Sequence, residues 1–320
     1  MSHFDVFNGD ADGLCALHQL RLARPRAAEL VTGVKRDNAL LARVPARDGD
    51  SVTVLDIALD GNREALLGLL GRGVRVEYFD HHHPGEIPSH PGLEATIDTS
   101  PEVCTSVLVD AHLGGAHTAW AVVGAYGDNL RQTAERLAGR LGFDDGQRDL
   151  LRRLGECLNY NSYGDSREDL MYWPGDLYLA LRAYEDPLAF AAAEEILPRL
   201  ERQRGEDMAR ALAVAAAPET ASATVRLLPD AAWSRRAVGA LANHLAKADG
   251  ARAHALLVPN ARGALTVSLR VPAGFAEGAD GFARRFGGNG RKLAAGINDL
   301  PHSERDAFVA AFVAAFRSGA

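Results

Sequence analysis

The strongest constraint on the fold is where acidic residues fall relative to apolar runs in the first 130 residues. Short runs that read as strands, at 3–8, 29–34, 51–58 and 75–80, alternate with stretches of helical periodicity at 12–22 and 62–70. Leu14, Leu17, Leu20 and Leu22 give the first of these helices an apolar stripe. The run SVTVLDIA is β-branched and almost wholly apolar, as a strand covered on both faces must be. This β-α-β rhythm predicts a parallel sheet with helices on both sides, and so an α/β fold. Acids end the strands. Asp10 and Asp12 lie in NGDADG, Asp56 closes the third run, and Asp80 leads into His81, His82 and His83. Asp128 follows the apolar stretch AVVGAYG. The carboxyl ends of the strands in an open parallel sheet converge on one crevice, so these groups are expected to gather at one edge.

Five carboxylates gather only at a cost, because like charges raise one another's pKa or push their loops apart. One or two divalent cations would remove that cost, and carboxylate oxygens with one or two imidazoles suit Mn²⁺, with Mg²⁺ as the alternative. A carboxylate that bridges two ions must lie between them, and Asp56 on the central strand is the candidate. Two ions about 3.5–4 Å apart can generate a hydroxide and clamp a phosphoryl oxygen, which is the chemistry of metal-assisted phosphoester hydrolysis. Taken singly, each residue has a commoner explanation. Asp after a strand is a turn or cap residue, and a His triplet can be a solvated loop. It is the recurrence of acids at three strand ends, one of them carrying consecutive histidines, that points to a metal.

Helical patterns dominate from 103 to 216, ending in a long charged helix over 195–216. The small-residue stretch AAAPETASA follows, and the pattern restarts with a strand at 224–228 and a helix at 234–247. Strands at 252–258 and 264–271, a helix at 275–286, a glycine-rich loop and a helix at 303–317 complete a second α/β domain. The expected organisation is a catalytic domain over 1–190, a helical linker over 191–222 and a smaller mixed domain over 223–320. In the loop FGGNGRKLAAG, Gly288 and Gly290 allow close backbone approach, and Arg291 is suited to a phosphate. The equal alternative is a connector ahead of a helix over 293–297.

The order NGDADG, VLDIA, FDHHHP and GAYGDN resembles the four motifs of the DHH phosphoesterase superfamily. That superfamily includes RecJ-like exonucleases, nanoRNases that also dephosphorylate pAp, cyclic dinucleotide phosphodiesterases and manganese-dependent pyrophosphatases. FGGNGRKLAAG resembles the GGGH-x-x-AAG signature of the DHH-associated C-terminal domain, with Arg291 where the family has His. The resemblance implies two Mn²⁺ ions. Asp10 would hold the first, Asp12 the second, and Asp56 would bridge them. His81 and Asp128 would complete the second site, Asp80 would fix the ring of a liganding His, and His82 would face the scissile phosphate. Substrate contacts are implied for Thr105 and Ser106, and for Ser268 and Arg270 on a second-domain strand, with His83 an additional candidate. The family has His or Asp four or two residues before Asp10, where this chain has Val6 and Asn8. Asn8 offers only a neutral amide oxygen, so the first ion is expected to bind weakly or to be completed by water.

The net charge of −7 excludes a basic coat for long nucleic acid and favours a small nucleotide or a short single-stranded oligonucleotide. Three widely spaced cysteines (Cys15, Cys104, Cys157) argue against a disulfide framework, and no run approaches a membrane span. With no basic-then-apolar leader at the start, the expectation is a cytoplasmic protein, compatible with a homodimer. The alternatives are a nucleotide-binding regulator with a decayed site and a cyclic dinucleotide phosphodiesterase. Residues 131–223 match no motif. Tyr160, Tyr163, Tyr172 and Trp173 in this region could stack a base, although core packing is the commoner use of such residues.

Overall fold

Five strands, β1 (His3–Phe7), β2 (Glu29–Thr32), β3 (Ser51–Leu55), β4 (Arg75–Asp80) and β5 (Leu93–Ile97), form one all-parallel sheet in the order β2-β1-β3-β4-β5. The computed structural model describes residues 1–37 and 39–317 and divides into two units. The first is Met1–Tyr163 with Leu170–Glu201, and the second is Gly164–Asp169 with the chain from Arg202 onward. Parallel neighbours need crossovers, and α1 (Ala11–Ala23) carries the chain from β1 to β2 and α2 (Leu59–Gly71) from β3 to β4. Alternation along the strands sends side chains to opposite faces. Phe7, Leu55 and Phe79 pack in the cluster of Leu14, Leu17 and Leu20 of α1. Val6, Val52, Val54, Val76 and Tyr78 pack in the cluster of Leu66, Leu69 and Leu70 of α2. Both faces are therefore covered, as the unbroken SVTVL run requires. β5 was not among the expected strands. It is a half-exposed edge whose LEATI pattern has no strong alternation.

The register aligns Phe7 with Leu55, Leu55 with Phe79, and Asp80 with Ile97. The chain therefore leaves β1, β3 and β4 side by side, and their acidic ends lie along one edge. The rest of the first unit is helical: α3 (Thr105–His112), α4 (Thr118–Gly127), α5 (Arg131–Arg140), α6 (Asp145–Asn161), α7 (Pro174–Leu181), α8 (Pro187–Ala193) and α9 (Ile196–Ala213), within which the unit boundary falls. α4 and α6 touch backbone to backbone. A Cβ on Gly155 would lie 2.2 Å from the Val123 carbonyl oxygen, and one on Gly127 would lie 3.0 Å from the Gly155 carbonyl oxygen. This crossing holds the end of α4, which Asp128 follows.

The second unit has a five-stranded mixed sheet, β6 (Ala223–Leu227), β7 (Ala253–Pro259), β8 (Leu265–Arg270), β9 (Asn289–Arg291) and β10 (Ala294–Leu300), in the order β6-β7-β8-β10-β9. α10 (Ala232–Ala248), α11 (Ala279–Arg284) and α12 (Arg305–Ala315) accompany it, and Phe282, Phe308, Phe312 and Phe316 form its aromatic core. The glycine-rich stretch is not a connector into a helix at 293–297. It is the β9–β10 hairpin, with β10 also paired to β8. Ala295 and Ile297 are buried on alternate positions, a period of two that short small side chains conceal in the sequence. Among the described residues no helix is long and apolar enough to cross a membrane.

The α4–α6 contact makes Gly155→Ala a test of how the fold carries the site. The added methyl meets backbone rather than a movable side chain, so unfolding stability should fall by about 1–3 kcal/mol in denaturant titration. Because the end of α4 shifts with it, the Mn²⁺ affinity should fall too. Unchanged stability would show that the helices can part freely.

Candidate metal centre

Each acid is placed by the local backbone. Asp10 caps α1, its Oδ1 accepting the amides of Asp12 at 3.0 Å and Gly13 at 3.1 Å. Gly13 is required because a Cβ there would lie 2.3 Å from the Asn8 carbonyl oxygen. Asp12, in the first turn of α1, is gripped by the start of α3. Its oxygens accept the Thr105 amide at 2.7 Å and the Ser106 amide at 2.8 Å. Asp56 follows β3 with φ +60°, a conformation that side chains other than Asn and Asp seldom adopt. Its amide bonds to the Phe79 carbonyl at 3.0 Å, and Thr105 Oγ1 donates to its Oδ1 at 3.1 Å.

The two histidines are oriented by different groups. His81 Nδ1 donates to the Val103 carbonyl at 3.1 Å. Its Nε2 is thereby left with the lone pair, 3.4 Å from Asp56 Oδ1 and 3.9 Å from Asp128 Oδ2. A carbonyl behind one ring nitrogen and carboxylates before the other is how a neutral histidine is set up as a metal ligand. His82 Nδ1 donates to Asp80 Oδ1 at 2.7 Å. Asp80 therefore fixes the ring of His82 and not that of His81. Asp56, His81 and His82 each offer a ligand atom within 4.8 Å of the others.

The electrostatics call for a cation. Burial, then the charges of Asp10, Asp12, Asp128 and Asp80, push the Asp56 carboxyl well above the ordinary range. Burial and Asp12 raise Asp128 to about 6, against the pull of Lys35 and His81. Burial also opposes ionisation of Asp10, yet the Lys35 ammonium outweighs it and holds that carboxyl below the ordinary range. The bond to Asp80 raises His82. Asp80 Oδ2 is buried with no hydrogen-bond partner among the described residues. Asp56, His81 and His82, with Asp128 Oδ2 3.9 Å from His81 Nε2, supply carboxylate oxygens and imidazoles, a set that fits Mn²⁺ or Mg²⁺.

The other expected site residues fall differently. Thr105 and Ser106 are fully buried, and they hold Asp12 and Asp56 from behind instead of facing substrate. The exposed His83 accepts the Gly85 amide at 3.2 Å within its own loop and joins no ligand group. Asn8 turns its amide inward. Its Oδ1 accepts the Asp10 amide at 3.2 Å and its Nδ2 donates to the Lys35 carbonyl at 3.5 Å, so it is not placed as a ligand. In the second unit, Arg270 is tied to Asn243, Ser268 and the Leu269 carbonyl. Gly288 and Gly290 pack β9 against β10, each with too little room for a Cβ, while Arg291 is exposed. Sequence reading missed Lys35 and Asn159. Lys35 donates to Asp10 Oδ2 and, at 2.9 Å, to Asn159 Oδ1. One signal was available: only three of the chain's 35 basic residues are lysine, and one of them follows β2 at the acidic edge.

The chain matches no protein-family model and no curated protein at a significant level. Solved structures do match. The DHH domain of a member of a ribosomal-protein family aligns over 98% of this chain and 86% of its own, with 13% identity and a TM-score of 0.69. The exonuclease RecJ bound to manganese aligns over 99% and 91%, at 20% identity and a TM-score of 0.63. The pGpG-specific phosphodiesterase PggH of Vibrio cholerae aligns over 98% and 98%, at 12% identity and a TM-score of 0.55. The fold is that of the DHH-domain proteins, as the four motifs implied.

The raised carboxyls give a pH dependence with a definite sign. Asp128 and Asp56 hold protons in the folded metal-free chain at pH values where free carboxyls have lost them. Their contribution to stability is full below about 4 and fades as pH rises, through about 6 for Asp128. A divalent cation bound there would have to displace those protons, so its affinity should rise over the same interval. Calorimetric titration with Mn²⁺ on either side of that pH should show tighter binding on the alkaline side. Melting of the chelated protein should show the opposite trend.

Proposed function

We propose that the chain is a divalent-cation-dependent phosphoester hydrolase, Mn²⁺ being its ion, acting on a small nucleotide or short oligonucleotide. The observation that carries this reading is the convergence of Asp10, Asp12, Asp56, Asp80 and Asp128 with His81 and His82 at one sheet edge. No structural purpose is served by burying so many like charges together. The fold shared with manganese-bound RecJ and with PggH supports the reaction class. The net charge of −7 supports a short substrate.

Asp12, Asp56, His81 and Asp128 would hold the cation, which would supply acidification of a water and neutralisation of phosphoryl charge. Thr105 and Ser106 keep Asp12 and Asp56 in their orientations, so the donor set is formed before substrate arrives. His82 has Nδ1 occupied by Asp80, so a proton passed to the leaving oxygen departs from Nε2. Asp80 keeps that ring protonated to higher pH than a free imidazole. Arg291, exposed on β9, is the second unit's candidate for a substrate phosphate.

A panel of pAp, linear di- and oligonucleotides and cyclic dinucleotides assayed with Mn²⁺ should show turnover of at least one class. Asp56→Asn preserves the unusual backbone conformation and should reduce turnover to background while raising the thermal stability of the metal-free protein. Binding across the panel without turnover would instead identify a regulator. For His82→Gln, kcat should drop by about 10²-fold. The decline of wild-type kcat as pH rises past the His82 pKa should vanish with it. A variant with the wild-type pH–rate profile would remove His82 from proton transfer.

A further inference from the structure

We propose that the Lys35 ammonium permanently occupies the place of one of the two expected ions, so that the centre takes a single divalent cation. The inference deepens the hydrolase reading and rests on it for the identity of the site, but its argument is geometric.

Lys35 Nζ sits in a cage built for a cation. It donates to Asp10 Oδ2 and, at 2.9 Å, to Asn159 Oδ1. It lies 4.0 Å from Asp128 Oδ1 and 5.7 Å from the centre of the Tyr163 ring. The backbone beneath it is pinned as well. The Lys35 amide bonds to the Ser162 carbonyl at 2.9 Å, and its own carbonyl accepts from Asn8 Nδ2 at 3.5 Å. The ammonium is therefore delivered by a short, anchored stem to the carboxylate that was expected to hold the first ion.

The ligands that such an ion would need are already committed. Asp10 Oδ1 accepts two amides and Oδ2 accepts Lys35. Asn8 Oδ1 accepts the Asp10 amide. Val6 is fully buried and offers no donor atom. The lone pair of His81 Nε2, 3.4 Å from Asp56 Oδ1 and 3.9 Å from Asp128 Oδ2, remains available with those two carboxylates to one ion. The choice of residue fits the role. Where almost every other basic position in the chain is arginine, a compact ammonium is the side chain that can stand in for a spherical ion, and a planar guanidinium is not. An ammonium neutralises charge but has no open coordination position, so water activation is left to the single ion.

The test is the count of bound Mn²⁺, which does not depend on turnover. Calorimetric titration, with elemental analysis after gel filtration, should give one Mn²⁺ per wild-type chain, with an electron paramagnetic resonance spectrum free of exchange coupling. The double variant Asn8→Asp/Lys35→Ala restores a donor and empties the cage, and should take up two ions with a coupled spectrum. Lys35→Met, which keeps the stem and removes the ammonium, serves should the double variant fail to fold, and should likewise bind more than one. Two ions, or none, on the wild-type chain would overturn the proposal, as would a folded double variant that still binds only one. A wild-type chain that binds one ion yet hydrolyses nothing would defeat the hydrolase reading and leave the count standing.

Discussion

The repulsion between carboxylates crowded at the ends of three neighbouring strands is the constraint around which the first unit is organised. A parallel sheet brings its carboxyl ends together whatever residues stand there. Placing Asp10, Asp56 and Asp80 at those ends, with Asp12 and Asp128 alongside, stores electrostatic strain that must be relieved by protons, by a tethered cation or by a bound one. All three means are visible. Asp56 and Asp128 hold their protons unusually tightly, and Lys35 neutralises Asp10. The lone pair of His81 faces a gap between carboxylates that a dication would fill.

The scaffold serves this edge through contacts that are not themselves chemical. The start of α3 grips Asp12, and the glycine-to-glycine crossing of α4 and α6 sets where the residue after α4 lies. Asp56 is held in a left-handed conformation by the continued pairing of its amide with Phe79. A strained residue on the central strand is where a fold of this kind concentrates function, because the flanking strands prevent the strain from relaxing.

Most of the candidate site was legible in the sequence, because its acids and histidines are written into the strand ends themselves. Local periodicity located β1, β3 and β4, and the residues after them followed. What periodicity could not locate were the partners. Thr105 meets Asp12 across 93 positions of chain, and Lys35 meets Asn159 across 124. Asn8 was expected as a weak ligand because its type permits one, but its Oδ1 accepts the Asp10 amide and its Nδ2 donates to the Lys35 carbonyl. The β9–β10 hairpin escaped notice because AAG has no apolar contrast from which to read a period of two.

The chain's order of apolar and acidic residues determined, without further information, a helix-covered parallel sheet with a cation-seeking edge. Strand burial and strand-end chemistry are both encoded locally. Only the folded chain decided which nitrogen of each histidine is free, which carboxylate meets an ammonium, and that Thr105 and Ser106 support the acids from behind. Those outcomes depend on through-space distances of a few ångströms between residues remote in the chain, and short-range periodicity carries no record of such distances.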